Sequence, residues 1–227
     1  MFDIKRYIGY LSLFSIINLS IIGVSRQTAF YSLLSIVYPY IENSHTYNFV
    51  LFALNISIAL IFVSGIIKNA DEQKHMNNYI LVRTSRKNAL CIGIFRNLKS
   101  TALIFFTKIL ADFLLSQMNK TENLLEAVIA EVSIFLTLIV WTLFIYIMIQ
   151  KHMAIKWIYF YVICSVIVFQ YFSMYVSVFT LFVFGSPFLK ALPAVWLILK
   201  SGLIIILFFV NVLISKKYEQ LNIKNEY

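Results

Sequence analysis

The sequence predicts an all-α integral membrane protein of six transmembrane helices with both termini in the cytoplasm, and three observations carry that expectation. Of the 227 residues, 61% are hydrophobic and only 13% are charged, about half the charged share of a soluble domain. Six apolar stretches approach the roughly 20 residues that cross a bilayer. The Lys and Arg residues between those stretches alternate between crowded and sparse connectors, as the positive-inside rule requires. A chain of this length makes one transmembrane domain, residues 1–227, and leaves no room for a separate soluble catalytic domain.

The first span is expected from about Ile8 to Val24, behind Lys5 and Arg6. The same segment resembles a signal peptide, but removing it would leave five spans and fit the remaining charges less simply. The second runs from about Tyr47 to Ile67 and stops at Lys68; the third lies near Thr101 to Leu115. The fourth covers Val128 to Ile149, the fifth begins at Trp157, and the sixth ends at Ser215 before Lys216 and Lys217. With both termini inside, fourteen basic residues fall on the cytoplasmic side. Only Arg26, Lys120, Lys190 and Lys200 fall outside, and Lys108 lies within a span. The net charge of +9 therefore reads as topology rather than as a nucleic-acid surface, and the expected surroundings are the bilayer of a bacterial cytoplasmic membrane. The Ile-, Asn- and Lys-rich composition also fits an AT-rich bacterial genome.

Two connectors depart from plain spans. Residues 178–196 include Gly185, Pro187 and Pro193, which interrupt helices, so this stretch is expected to form a re-entrant or interfacial hairpin on the outer side. Broken backbone at that depth must be buried in protein or line a cavity. Residues 68–100 carry half of the inside charge. Asp71 and Glu72 suggest the first turn of a helix, and Ser85 suggests the cap of a second helix starting at Arg86 and running on into the third span. The reading is helix, elbow, helix, with Arg83, Thr84, Ser85, Arg86 and Lys87 at the elbow. Their basic side chains serve either as headgroup anchors or as a contact for an acidic partner.

Within the spans, Lys108 and Asp112 are four apart and share a helix face. Ionisable residues at this depth face the bundle interior, so the pair is either a structural ion pair or part of a transport path. The Lys-before-Asp order is the weaker one for an isolated pair and suggests a further partner on another helix. Gln170 and Ser173 are candidate inward-facing polar residues in an aromatic run suited to lipid contact and packing. Glu126 and Glu131, at the outer entrance of the fourth span, are either solvated at the interface or placed to meet a cationic peptide. Cys91 and Cys164 have no metal or redox spacing and read as small apolar side chains. His75 and Cys91 carry no signature of a catalytic dyad. Because no nucleotide-binding, hydrolase or metalloprotease motif occurs, the chain is expected not to be an enzyme and to bind no metal or cofactor itself.

The acidic opening followed by "YILVRTSRKNAL" between the second and third spans resembles the small ABC-2 type exporter permeases. So do the broken outer segment before the last span and the chain length. In that family the connector bears an R-x-S-R pattern, matched here by Arg83 to Arg86. This sequence lacks the family's proline before the Ser-Arg pair and its glycine after the acidic opening. The resemblance implies a permease subunit, one half of a homo- or heterodimer, driven by a separate ABC ATPase that binds ATP and Mg. The implied cargo is an amphipathic or antimicrobial peptide. The alternatives are a bacteriocin-immunity membrane protein that acts by binding, and a substrate-capturing subunit of a vitamin importer. The latter's Ala-x-x-x-Ala surface is missing from the first span.

Overall fold

The computed structural model describes residues 4–25, 49–81, 86–116, 124–151, 153–173, 175–184 and 192–225, with the backbone alone at several helix ends. These residues form six α-helices and one short 3-10 turn, with no strand among them. The helices are α1 (Ile4–Ser25), α2 (Phe49–Leu81), α3 (Arg86–Ser116), α4 (Leu124–Gln150), α5 (Ile155–Phe172) and α6 (Pro193–Asn225). The 3-10 turn, Ser177–Leu181, stands between α5 and α6. Four of the helices contain segments long and apolar enough to cross a membrane: Leu90–Leu114, Val128–Gln150, Ile155–Phe172 and Pro193–Lys216. They mark the chain as a membrane protein.

Hydrogen bonds and ion pairs fix the relative directions of the helices they join. Arg6, near the start of α1, approaches Glu72 toward the end of α2 at 3.9 Å. Asn18, toward the end of α1, meets Asp112 toward the end of α3. Near the end of α4, Gln150 donates to Asn211 in the second half of α6 at 2.7 Å, while Lys200 in the first half of α6 donates to Ser133 and Thr137 near the start of α4. Successive helices therefore run up and down. One end of the bundle holds the connector between α2 and α3. The far end holds the polar groups contributed by α1, α3, α4 and the start of α6.

α3 packs on α1, α2, α4 and α6, and α4 has its most extensive contact with α6. The interior is aliphatic and aromatic. Phe14, Phe62 and Phe184 line up with ring centroids 5.2 and 6.2 Å apart, and Trp141 is fully buried in the same core. Between helices in lipid there is no hydrophobic gain, so close packing and polar ties decide the contacts. Gly65 is one such close approach: a Cβ there would lie 2.8 Å from the tip of Ile104. Asn97, completely buried on α3, donates to the Ile66 carbonyl of α2 at 3.2 Å. Asn211 donates to the Leu143 carbonyl at 3.1 Å and ties α6 to α4. Interhelical bonds of this kind are worth on average about 0.6 kcal/mol in membranes.

α5 shows one buried stripe at helical spacing, Ile158, Val162, Val166 and Gln170. Its other face is open. Trp157, Phe160 and Tyr161 are exposed at the beginning, and Tyr171, Phe172 and Tyr175 at the end, the placement of aromatic side chains at the two interfaces of a bilayer.

Three sequence expectations are corrected here. Asp71 and Glu72 do not begin a helix; α2 runs through them without interruption from Phe49 to Leu81, because the apolar span and the polar extension share one unbroken helical register. Pro193 does not interrupt a helix but opens α6, at the first position, where its missing N–H and fixed φ are harmless. Residues 193–196 of the expected outer hairpin thus belong to the last span, and the described part of the break is the 3-10 turn with residues 182–184 behind it. Lys200, expected outside, is wholly buried in α6.

Candidate functional site

α1, α3 and α4 converge at the far end on a cluster of charged and polar side chains. Lys108 and Asp112 lie one turn apart on α3, with Nζ to Oδ2 at 2.6 Å. Lys108 also donates to Glu131 Oε1 on α4, again at 2.6 Å. Asn18 of α1 donates to the other oxygen of Asp112 at 2.5 Å. The Lys108 side chain is 1% exposed, Asp112 7% and Glu131 18%, so Glu131 is the member nearest the surface. Its second oxygen, Oε2, is buried and has no hydrogen-bond partner. Two carboxylates share one ammonium, and such a group is expensive in hydrocarbon unless its members face one another.

The expectation that the Lys108–Asp112 pair reaches another helix is thus met twice, by Glu131 and by Asn18. Glu131 is drawn inward by Lys108 rather than solvated at the interface. Glu126 lies in the first turn of α4, and its side chain falls outside the described residues. Gln170 and Ser173 are buried, and Ser173 donates back to the Gln170 carbonyl at 2.8 Å. Neither joins the ion cluster. Cys91 and Cys164 are both free and half-buried. Among the described residues no group of His, Cys, Asp and Glu is arranged to hold a metal.

A second polar site, which sequence reasoning missed, lies on the opposite face of α4. Lys200 Nζ donates to Ser133 Oγ at 2.7 Å, to Thr137 Oγ1 at 2.7 Å and to the Val183 carbonyl at 3.1 Å, with the Ser133 carbonyl at 3.4 Å. No carboxylate reaches it among the described residues. Glu131 and Ser133 are two positions apart, about 200° around the helix but only about 3 Å along it. Both lysines lie about 10 Å inside the far ends of their spans. The Thr137 hydroxyl also bonds the Val183 carbonyl at 3.0 Å, and Trp141 Nε1 donates to the Phe182 carbonyl at 2.9 Å. These side chains supply the partners that the unwound backbone after the 3-10 turn requires at membrane depth.

The connector end is simpler. α2 ends at Leu81 and α3 starts at Arg86. Arg83, Thr84 and Ser85 fall outside the described residues, as do the side chains of Arg86 and Lys87. α2 and α3 measure about 50 and 46 Å at 1.5 Å per residue, well beyond the about 30 Å of a hydrocarbon core.

The chain matches no family model, no curated protein and no solved structure. Its functional reading therefore rests on its own geometry.

Proposed function

We propose that this chain is the membrane subunit of an ATP-driven exporter, working as half of a dimeric permease in a bacterial cytoplasmic membrane. A separate ABC ATPase binds ATP and Mg and supplies the force. The observation that carries the reading is the continuity of α3. One unbroken helix begins at Arg86, beside the basic connector, and bears Lys108 about 33 Å and Asp112 about 39 Å further along. A partner that grips the connector, with acidic groups facing Arg83, Arg86 and Lys87, moves the ion cluster through a single rigid element. The cargo class that suits the cluster is an amphipathic or antimicrobial peptide. Two carboxylates against one ammonium leave a negative balance, and Glu131 at its outer edge can meet a basic side chain.

The test is purification of the tagged chain from its native membrane at endogenous expression. A stoichiometric ATPase subunit whose hydrolysis rises with cationic amphipathic peptide supports the reading. A chain that isolates alone, with no nucleotide hydrolysis in the preparation, defeats it and favours an immunity protein that acts by binding.

A further inference from the structure

Two tyrosine hydroxyls meet α2 at one level, from two flanks. Tyr159 of α5 donates to the Ser64 carbonyl at 3.4 Å. The Tyr10 hydroxyl of α1 lies 3.3 Å from the place a Cβ on Gly65 would take. Tyr159 is also within electrostatic reach of Tyr10 and Arg6, so α1 and α5 border one groove with α2 as its floor. Ser64 and Lys68 are exposed on that floor.

One turn toward the connector end, each of the three helices supplies a cation. Arg6 precedes Tyr10 by four residues, Lys68 follows Ser64 by four, and Lys156 precedes Tyr159 by three. α2 runs toward the connector while α1 and α5 run away from it, so all three steps lead the same way, by about 4.5–6 Å. Arg6 is held by its neighbours. Its Nε donates to the Tyr10 hydroxyl at 3.4 Å, its guanidinium stands 5.8 Å from the centre of that ring, and Nη1 approaches Glu72 at 3.9 Å. Its Nη2 is buried and has no hydrogen-bond partner. Lys68 and Lys156 are exposed, and neither is paired with a carboxylate among the described residues. Asp71 and Glu72 lie further toward the connector and offset only two of the three charges.

Single lysines at the ends of spans are ordinary topology signals. Three cations brought to one level from three helices form a basic pocket of the kind that takes a lipid phosphate, and a guanidinium suits phosphate oxygens in particular. The surroundings favour a lipid over a free anion. Leu13 of α1 and Ile167 of α5, further from the connector, are apolar and exposed, and Trp157 beside Lys156 is exposed at the level of the interface. A choline headgroup would bring a fourth cation to the pocket, whereas a glycerol headgroup brings none.

We propose that the groove between α1 and α5 binds one anionic phospholipid from the leaflet at the connector end. Arg6, Lys68 and Lys156 hold its phosphate, and its acyl chains lie along α1 and α5. The inference is independent of whether an ATPase drives the chain.

Native mass spectrometry of the full chain, titrated with dioleoyl phosphatidylglycerol or dioleoyl phosphatidylcholine, tests it. The parent should retain one phosphatidylglycerol in preference to phosphatidylcholine, and equal retention overturns the proposal. Lys68→Gln with Lys156→Gln should weaken phosphatidylglycerol binding about 30-fold, the effect of two charges at headgroup level, and leave phosphatidylcholine unchanged. Lys68→Arg with Lys156→Arg should keep the parent's affinity, and a folded arginine pair that loses it counts against the pocket. Lys151 and Lys216 are exposed at the same end on the α4–α6 flank, so Lys151→Gln with Lys216→Gln removes the same charge elsewhere. An equal loss in that pair shows diffuse attraction rather than a site and sinks the proposal. Inorganic phosphate should not displace the lipid, and displacement at millimolar phosphate would make this a free-anion site instead.

Discussion

Asn18 donates a 2.5 Å hydrogen bond to Asp112 across 94 positions of sequence, and this bond fastens α1 to the charged face of α3. Asp112 has its other oxygen on Lys108, so Asn18 completes its acceptor set. Replacing Asn18 by Leu leaves a buried carboxylate oxygen without a donor and is expected to cost about 1–3 kcal/mol. Asn18→Asp should be worse, because it adds a third carboxylate around one ammonium. Thermal unfolding in detergent of the two variants and the parent gives the order, and an aspartate variant as stable as the parent contradicts it.

The three-member arrangement changes what a compensation experiment should show. Lys108→Met leaves Asp112 and Glu131 facing each other without a cation and should cost about 3–5 kcal/mol. Combining it with Asp112→Leu still strands Glu131, so the double variant should recover only part of the loss. Adding Glu131→Gln should recover more. Full recovery in the double variant would show that Glu131 does not share the site. Melting temperature and monodispersity after extraction are sufficient readouts.

The connector is tested by Arg83→Gln with Arg86→Gln. Twelve basic residues remain on the expected inner side, so insertion should be unchanged, and expression should match the parent. Under the exporter proposal, ATPase association or cargo-stimulated hydrolysis should fall. Lysine at both positions is expected to rescue poorly if the contact is a two-pronged guanidinium–carboxylate pair. Normal coupling in the double glutamine variant leaves the basic group as a headgroup anchor.

Orientation is checked with single cysteines in a background lacking Cys91 and Cys164. Lys120→Cys should react with an impermeant thiol reagent in intact cells, and Lys74→Cys only after permeabilisation. Reaction of position 74 in intact cells reverses the topology.

The apolar helices were legible from hydropathy, because length and composition decide a span almost alone. The Lys108–Asp112 pair was legible as well, since two opposite charges four apart in an apolar run have few other uses. Glu131 was expected at the entrance of the fourth span, solvated at the interface, whereas near the start of α4 it turns inward to Lys108. Hydropathy says how deep a residue lies and nothing about which face of the helix it occupies. Lys200 was misplaced because Pro193 reads equally as a helix breaker and as a first helical residue. Choosing the second puts Lys200 two turns inside an otherwise apolar helix, and that pattern was the available signal. Asn18, Ser133 and Thr137 carried none. Small polar residues are common in spans, and only the fold brings these three to charged partners. The acidic pair Asp71 and Glu72 misled in the other direction, a local preference overridden by a helix already under way.

The unequal lengths of the outer helices bear on the choice of lipid. α5 has 18 residues, about 27 Å, and is flanked by aromatic side chains at both ends, whereas the apolar segment of α6, Pro193–Lys216, has 24, about 36 Å. Both present most of their surface outward. A bilayer of uniform thickness cannot match the two flanks together. It must thin beside α5, or α6 must lean, each at a fraction of a kcal/mol per ångström of mismatch. Leaning α6 carries Lys200 and the unwound segment with it. Acyl-chain length is therefore a control parameter for this protein, and its thermal stability should differ between short- and long-chain phosphatidylcholines.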